Sequence, residues 1–188
     1  MDIKRAFDLS VAATAAVLLG VPMVVIAVLV KATSDGPALY WSERVGRNNE
    51  LFWMPKFRTM RTDAPVVATH LLTDATRHLT PIGSFLRKSS LDELPQLWSI
   101  LKGDMSLVGP RPALFNQHDL IAARTAEGID ALRPGLTGWA QVNGRDELPI
   151  PEKVRLDAEY LRRQNFLFDL RILVLTVWKV TGASGISH

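Results

Sequence analysis

The sequence predicts a mainly helical α/β protein with a membrane-inserted segment near its N-terminus and a small β-hairpin. Three observations predict this fold class. Leu9–Val30 is a run of 22 residues without a charge. Two short segments of strand-like composition, Leu39–Val45 and Leu51–Phe57, flank the turn signal Gly46-Arg47-Asn48-Asn49. Segments farther along the chain place apolar residues at helical spacing.

The uncharged run is long enough to cross a bilayer, but Pro22 interrupts it. At helical rise the run reaches about 33 Å, against a hydrocarbon core of about 30 Å. Pro22 has no N–H to donate to the carbonyl of Leu18, so we expect the helix to kink there. Two alternatives stay open from the residues alone. One is a kinked transmembrane helix, and the other is a re-entrant hairpin with arms Leu9–Leu19 and Met23–Val30.

The residues around the run bear on its orientation. Lys4 and Arg5 precede it and Lys31 follows it, which favours a cytoplasmic location for both ends. A secretory signal peptide fits less well, because its apolar core usually has about 7–15 residues and no clear cleavage site follows here.

Composition limits the classes of function. The 188 residues suffice for one domain, or for one domain with an appendage. The chain has 22 Lys and Arg against 19 Asp and Glu, a net charge of +3, which is too small for a dedicated nucleic-acid binder. It has no cysteine, which excludes disulfides, thiol nucleophiles and iron–sulfur clusters. We therefore expect no nucleic-acid partner.

Apolar spacing and turn residues predict the remaining elements. The predicted helices are Leu91–Leu101, Phe115–Glu127 ending at Gly128, and Glu152–Arg163. The segments predicted as loops are Asp63–Pro81, Gly109–Pro112 and Arg133–Gly138. The second apolar segment, Phe166–Val180, is interrupted by charges and cannot span a bilayer. It is either a core helix or a helix in the membrane interface.

The adjacent carboxylates Asp92 and Glu93 have two structural interpretations and one catalytic interpretation. Ser90 and Glu93 have the spacing of a capping box. Alternatively, Pro95 belongs in a first helical turn, which would make Asp92 the N-cap. In the catalytic interpretation, the helix N-terminus lowers the pKa of these carboxyls. Asp92 would then be a permanently ionised nucleophile and Glu93 a Mg²⁺ ligand.

Cations in stiff segments suit an anionic substrate. Arg87 precedes the carboxylate pair, Lys56 and Arg58 follow Pro55, and Arg111 stands between two prolines that would orient its guanidinium toward phosphate. Taken singly, each of them fits a surface charge or a structural ion pair better than a phosphate site. Since the sequence has no Walker A loop and no GxGxxG motif, phosphate binding would depend on these side chains and a metal ion.

Four motifs, in the same order along the chain, resemble the bacterial sugar transferases, which are monotopic phosphoglycosyl transferases. They are Lys56–Met60, Leu91–Leu97, Gly103–Pro112 and Pro134–Arg145. The resemblance extends from about Lys4 to near the C-terminus. The chain is most similar to the small members that handle N,N′-diacetylbacillosamine 1-phosphate.

The resemblance implies a reaction and its residues. The enzyme would transfer a sugar 1-phosphate, such as that of a 2-acetamido sugar, from a UDP-sugar to undecaprenyl phosphate and release UMP. This would be the first membrane step of glycoconjugate assembly. Asp92 would carry a covalent phosphosugar, and Glu93 would bind Mg²⁺. Arg87 and Arg111 are the phosphate contacts that the resemblance implies, and Lys56 and Arg58 are predicted to join them. The implied nucleotide-sugar site comprises Gly138, Gln141, Asn143 and Arg145.

The resemblance also decides between the membrane alternatives in favour of the re-entrant hairpin. It implies a membrane segment over residues 1–35 and a catalytic domain over residues 36–188. The protein would lie in a phospholipid membrane, the bacterial inner membrane, with the catalytic domain on its cytoplasmic face. Val21 stands where the family often has Ser, so a hydroxyl contribution to the bend is missing. The alternative function is a membrane-anchored binding or scaffold protein without catalysis.

Overall fold

The computed structural model describes residues 3–65, 75–144 and 148–181. Two N-terminal helices are followed by a hairpin and then by shorter helices. The elements, in chain order, are α1 (Ile3–Leu18), α2 (Gly20–Thr33), β1 (Leu39–Val45), β2 (Leu51–Phe57), α3 (Gly83–Lys88), α4 (Leu97–Lys102), β3 (Ser106–Val108), α5 (His118–Ala126), β4 (Gly135–Thr137), α6 (Trp139–Gly144), α7 (Ile150–Arg163) and α8 (Phe166–Thr181).

The chain bends sharply between α1 and α2. Their axes differ in direction by 61°, and the break lies at Leu19, three residues before Pro22. Pro22 therefore sits in the first turn of α2, where a missing N–H costs nothing. Within the described residues neither helix has the length and apolarity to span a membrane by itself, but the bent pair together does, by length and composition. A helix broken close to Pro22 was predicted.

Polar side chains on the first turns of α1 dock on the rest of the molecule. Lys4 Nζ donates to the Val108 carbonyl at 3.1 Å, and Arg5 donates to the Ile100 carbonyl at 2.8 Å. Asp8 is buried and accepts a hydrogen bond from the Ser106 hydroxyl at 2.7 Å. Lys4 and Arg5 thus bind the rest of the protein, whereas the sequence analysis treated them only as charges that flank the apolar run.

The hairpin has the predicted boundaries. β1 and β2 pair antiparallel with Leu39 opposite Phe57 and Val45 opposite Leu51. Asn48 and Asn49 form the turn with φ values of 55° and 60°, in the left-handed region that Asn tolerates better than most residues. The pairing directs Ser42, Arg44 and Lys56 to one side of the hairpin, because alternate residues of a strand share a face.

The helix predicted over Leu91–Leu101 is two elements. Leu91–Gln96 is a 3₁₀ helix that contains Pro95, and α4 begins at Leu97. Pro95 cannot donate an α-helical hydrogen bond, which accounts for the tighter turn before it. Helical spacing in this segment predicts one apolar face made of Leu94, Leu97, Trp98 and Leu101. This prediction is wrong at Trp98, whose side chain is exposed.

Two short strands were missed by the sequence analysis. Ser106–Val108 and Gly135–Thr137 pair in parallel, with Ser106 opposite Gly135 and Val108 opposite Thr137. Gly135–Thr137 lies in a segment predicted as a loop, whereas no element was predicted for Ser106–Val108. Three-residue strands give too little alternation to be recognised. Because the loop Gly109–Pro112 follows β3 directly, this pairing holds the loop beside β4.

The other predicted helices are confirmed with shifted ends. α5 begins three residues later than predicted and ends before Gly128, which has a φ of 70°. α7 begins two residues earlier than predicted and ends at the predicted Arg163. In α8, Phe168 and Ile172 are buried in the main core, whereas Val174 and Trp178 are exposed. This helix combines features of both alternatives, a core face and an exposed apolar face.

Gly109 and Gly135 allow β3 and β4 to approach closely. A Cβ atom on Gly135 would lie 2.1 Å from the Gly109 nitrogen and 2.3 Å from the Thr137 oxygen. Replacement of Gly135 by Ala is expected to lower the free energy of unfolding by about 3 kcal/mol, the upper end of ordinary overpacking costs. Chemical denaturation measures it. Gly20→Ala is the control, since nothing lies within 4 Å of its Cβ position; equal stability of the two variants would contradict the close approach.

Candidate functional site

The described residues enclose a cavity of about 290 Å³ between the hairpin, the 3₁₀ helix, the Gly109–Pro112 loop and helices α5 to α7. Its lining is strongly basic. The charged side chains around it are Arg44, Lys56, Arg58, Arg61, Arg87, Arg111, Arg124 and Lys153, with Asp92 as the carboxylate. Cations in this number attract a substrate with several negative charges, such as a diphosphate.

Asp92 lies in the first turn of the 3₁₀ helix, with its side chain at the cavity. Neither structural interpretation of the carboxylate pair is borne out. Ser90 occupies the N-cap position and makes no side-chain capping bond, and Asp92 is one residue inside the helix. Ser90 has a φ of 57°, a left-handed conformation that costs a non-glycine residue free energy and is often found at functional sites.

Glu93 holds two of the predicted phosphate-binding cations. Its Oε1 accepts a hydrogen bond from Arg111 Nη2 at 2.8 Å and another from Lys56 Nζ at 3.1 Å. Burial opposes ionisation of this carboxyl, yet the charges of Arg111 and Lys56 outweigh burial and hold the pKa of Glu93 well below its usual range. Glu93 is therefore a permanent anion that orients Arg111 and Lys56 beside Asp92.

The pKa of Asp92 contradicts the sequence-based expectation. Burial raises the pKa of Asp92, while the nearby charge of Lys56 opposes the rise. A lowered pKa from a helix N-terminus was predicted for both carboxyls, and it is wrong for Asp92 because desolvation dominates. Burial likewise lowers the pKa of Lys56. Asp92 is thus a poorly solvated carboxylate, a condition that favours nucleophilic reactivity.

The loop that carries Arg111 is held at consecutive backbone positions. Arg44 Nη1 donates to the Pro112 carbonyl at 3.1 Å, and Arg124 Nη1 donates to the Arg111 carbonyl at 2.8 Å. The Val45 amide donates to the Ala113 carbonyl at 2.9 Å. Two prolines add further restriction to the backbone. These contacts agree with the predicted stiffness of the segment, and Arg111 lies between the cavity and Glu93.

Arg58 and Arg87 also line the cavity, as predicted. Arg58 Nε donates to the Pro37 carbonyl at 2.9 Å, which ties the start of the loop after β2 to the connection between α2 and β1. Arg87 lies at the end of α3, and its charge acts on the pKa of Asp92 against the effect of burial. Six predicted residues therefore meet at one place: Lys56, Arg58, Arg87, Asp92, Glu93 and Arg111.

The predicted nucleotide-sugar residues are only partly brought to the cavity. Gln141 lines it. A Cβ on Gly138 would lie 2.1 Å from the Gly109 carbonyl oxygen, so Gly138 serves close backbone packing. The exposed Asn143 side chain donates to the Trp139 carbonyl within its own helix. Arg145 lies outside the described residues.

Sequence reasoning missed four of the cavity's cations: Arg44, Arg61, Arg124 and Lys153. They stand in separate segments of the chain without a shared motif. Arg44 had a usable signal, since it alternates with Ser42 on the strand face opposite the exposed Trp41. Arg124 and Lys153 reach the cavity through packing of α5 on α7, which the sequence does not reveal.

A metal held by protein side chains alone is not built into this site. In the part of the chain that the structure describes, no three His, Asp or Glu side chains converge as a metal cluster. Asp92 and Glu93 together offer the one or two carboxylates that Mg²⁺ uses when substrate phosphates supply its other ligands. The donor set therefore fits a Mg²⁺ ion that binds together with substrate.

Comparison with known proteins identifies the family. The sequence pattern of the bacterial sugar transferases matches residues 1–183, nearly the whole chain. The chain belongs to this family. The predicted resemblance is thereby confirmed at family level.

Relatives within the family are similar over most of the chain. The chain is 41% identical over its full length to the uncharacterized sugar transferase EpsL of Bacillus subtilis, of which it covers 92%. It is 42% identical over 85% of its length to the UDP-glucose:undecaprenyl-phosphate glucose-1-phosphate transferase of Xanthomonas campestris. Its identity to the Escherichia coli protein of that name is 38% over 94% of the chain.

The chain spans 35% and 40%, respectively, of the lengths of these two glucose-1-phosphate transferases. Another bacterial sugar transferase relative, of Erwinia amylovora, is a UDP-galactose-lipid carrier transferase. These relatives are named for glucose and galactose, so the predicted similarity to diacetylbacillosamine enzymes receives no specific support.

Proposed function

We propose that this protein transfers a sugar 1-phosphate from a UDP-sugar to undecaprenyl phosphate, with Asp92 as the covalent nucleophile. The observation that carries the proposal is the placement of a buried carboxylate in a cavity that, among the described residues, is lined by eight cations. Membership in the sugar transferase family supports the reaction class, as do relatives named for sugar-1-phosphate transfer to undecaprenyl phosphate.

The reaction proceeds in two displacements. A carboxylate oxygen of Asp92 attacks the sugar-bearing phosphorus of the UDP-sugar, and the bond from that phosphorus to the bridging oxygen breaks. UMP leaves with the electron pair, and Asp92 becomes an acyl phosphate of the sugar. An oxygen of undecaprenyl phosphate then attacks the same phosphorus and releases the Asp92 carboxylate. The products are UMP and undecaprenyl diphosphate sugar.

The cations around Asp92 overcome the repulsion between an anionic nucleophile and an anionic substrate. Lys56 and Arg111, oriented by Glu93, and Arg87 would contact phosphate oxygens and stabilise charge on the departing UMP. Because Glu93 holds its partners before substrate arrives, little reorganisation is needed at the moment of reaction.

A Mg²⁺ ion, when bound, would neutralise charge on the diphosphate. Glu93 would hold it, with Asp92 beside it. Replacement of Glu93 by Gln is expected to raise the half-saturating Mg²⁺ concentration at least about ten-fold. Loss of a residue that only orients a metal ligand already has an effect of this size, and loss of the ligand itself should have at least as large an effect. A Mg²⁺ titration of UMP release measures this change. An unchanged Mg²⁺ requirement would remove Glu93 from the metal site.

We further propose that α1 and α2 enter one leaflet of the membrane and return, with the catalytic unit on the cytoplasmic face. Lys4 and Arg5, near the start of α1, bind backbone carbonyls of the catalytic unit. Val30, near the end of α2, packs with Phe57 and Leu86 of the same unit. Both ends of the bent pair thus contact the same unit, which supports a re-entrant segment, because a helix that spans the membrane would place its two ends on opposite sides.

Release of UMP by detergent-solubilised protein tests the proposed function. The assay contains Mg²⁺ and a panel of UDP-glucose, UDP-galactose, UDP-N-acetylglucosamine and UDP-N,N′-diacetylbacillosamine, with and without undecaprenyl phosphate. We expect sustained release with lipid for at least one sugar, and release of about one UMP per protein without lipid, because the first displacement needs no acceptor. The absence of release for every sugar would favour the non-catalytic scaffold.

A further inference from the structure

Arg124, which is outside the motifs that identify the family, contacts the backbone of a predicted phosphate-binding residue. Its guanidinium is buried and bridges two partners. Nη1 donates to the Arg111 carbonyl at 2.8 Å, while Nε and Nη2 donate to Asp157 Oδ2 at 3.0 and 2.6 Å. Arg124 belongs to α5 and Asp157 to α7, so the contact joins the packed helices to the cavity.

The geometry of the pair differs from that of an ordinary structural ion pair. An Arg and a carboxylate usually form two parallel hydrogen bonds, one to each oxygen. Here both donors go to Oδ2, and Asp157 Oδ1 is buried without a hydrogen-bond partner among the described residues. The guanidinium is thus turned away from the best fit to Asp157, in an orientation that supplies the Arg111 carbonyl.

The position of the Arg111 carbonyl affects the contact between the Arg111 side chain and Glu93. Prolines on both sides restrict the Arg111 backbone, and the hydrogen bond from Arg124 further restricts the peptide plane that carries the Arg111 oxygen. The side chain of the same residue donates to Glu93 Oε1 at 2.8 Å. A shift of the Arg111 backbone would therefore move its guanidinium relative to both Glu93 and a bound phosphate.

We propose that Arg124 is a positioning residue, which fixes the Arg111 guanidinium beside Glu93 and Asp92 by binding the Arg111 carbonyl while Asp157 holds it in place. The inference rests on the proposed function and adds a residue to it. Arg124 acts through Arg111, so its loss and the loss of Arg111 should affect the same step of catalysis.

A double-mutant cycle tests this role. Arg124→Met, Arg111→Met and the double variant are compared for kcat/KM of UMP release, with thermal unfolding of each. The Arg124→Met variant leaves Asp157 buried without a partner, so the paired variant Arg124→Met/Asp157→Leu is made as well. Replacing both members of a buried ion pair by apolar residues often preserves the fold. Arg124→Lys keeps the charge but lacks the fork that reaches two partners.

We expect the paired Arg124→Met/Asp157→Leu variant to fold and to lose about 10²-fold in kcat/KM, the effect of a small misplacement in an active site. Adding Arg111→Met should then reduce kcat/KM less than about three-fold, although Arg111→Met alone costs a similar 10². Arg124→Lys should fold without restoring activity. The control Arg155→Met, exposed on α7 and paired with Glu152, should retain wild-type kcat/KM.

If the losses in kcat/KM from the Arg124 and Arg111 substitutions multiply, the positioning role is overturned, because residues that act independently have additive free energies. Full activity of the paired variant, or restoration by Arg124→Lys, would also overturn it. The wild-type protein separates the two levels of the account: a silent wild type contradicts the proposed function as a whole, whereas an active wild type with multiplying losses contradicts the role of Arg124 alone.

Discussion

Replacement of Asp92 by Asn is expected to reduce UMP release by a factor on the order of 10⁴ or more, the size of effect seen when a covalent nucleophile is removed. The Asn side chain has nearly the same shape but lacks the anionic oxygen that must bond to phosphorus. Initial rates with saturating UDP-sugar and Mg²⁺ measure the loss. The variant should release no UMP even without lipid, since the first displacement is the affected step.

The same replacement should leave the fold intact, which separates chemistry from stability. Burial raises the pKa of Asp92, so an ionised Asp92 destabilises the folded protein, and this cost grows as pH rises from the unfolded value through the folded pKa. At pH 7 in Mg²⁺-free buffer, Asp92→Asn is therefore expected to melt at or above the wild-type temperature. Asp119→Asn, an exposed neutralisation on α5, is the matched control. Equal turnover of wild type and Asp92→Asn would exclude Asp92 as the nucleophile.

Replacement of Asp169 by Ala is expected to have the largest effect on stability. Asp169 is buried and accepts hydrogen bonds from Lys4 Nζ at 2.5 Å and the Tyr160 hydroxyl at 2.7 Å. Its loss leaves a largely buried ammonium without its anion, which lowers the free energy of unfolding by about 3–5 kcal/mol. Denaturant titration followed by tryptophan fluorescence measures this change.

The control for this prediction is Asp104→Ala, which breaks the exposed pair with Lys102 and should cost at most about 1 kcal/mol. The Asp169 variant should also lose part of its UMP release, because Lys4 ties α1 to the Val108 carbonyl at the end of β3. Equal stability of the Asp104 and Asp169 variants would show that the contact of α1 with α8 contributes little.

The sequence predicted local elements well where local chemistry decides them. The hairpin boundaries follow from strand composition and a Gly-Asn turn, and α7 follows from the spacing of Val154 and Ala158. The family motifs also indicated Asp92, Lys56 and Arg111 as site residues. Their convergence on one cavity agrees with that indication, while their chemical roles stay predictions.

Features that depend on distant contacts could not be predicted. The pairing of β3 with β4 joins segments far apart in the chain, and its strands are too short to show a pattern. The raised pKa of Asp92 arises from burial by other elements, whereas the sequence shows only the nearby helix terminus. Arg124 reaches the cavity because α5 packs on α7, and a single Arg in a charged helix gives no signal of that role.

The location of the helix break illustrates a subtler error. Pro22 was expected to kink a helix from within, yet the break lies at Leu19 and Pro22 stands in the first turn of the next helix. Helices accept Pro in the first turn, because the N–H groups there have no intrahelical partner. The proline therefore favours a helix that starts two residues upstream of it, at Gly20.

The central claim, a phosphosugar bound covalently to Asp92, is tested most directly by intact-protein mass spectrometry. Wild-type protein and Asp92→Asn are mixed with UDP-sugar and Mg²⁺ without undecaprenyl phosphate and quenched rapidly. The account predicts that the wild type alone gains the mass of one sugar 1-phosphate, located on the peptide that contains Asp92, and that lipid acceptor removes it. Steady UMP release in the presence of lipid, with no adduct in its absence, would contradict the covalent mechanism and point to direct transfer between the substrates.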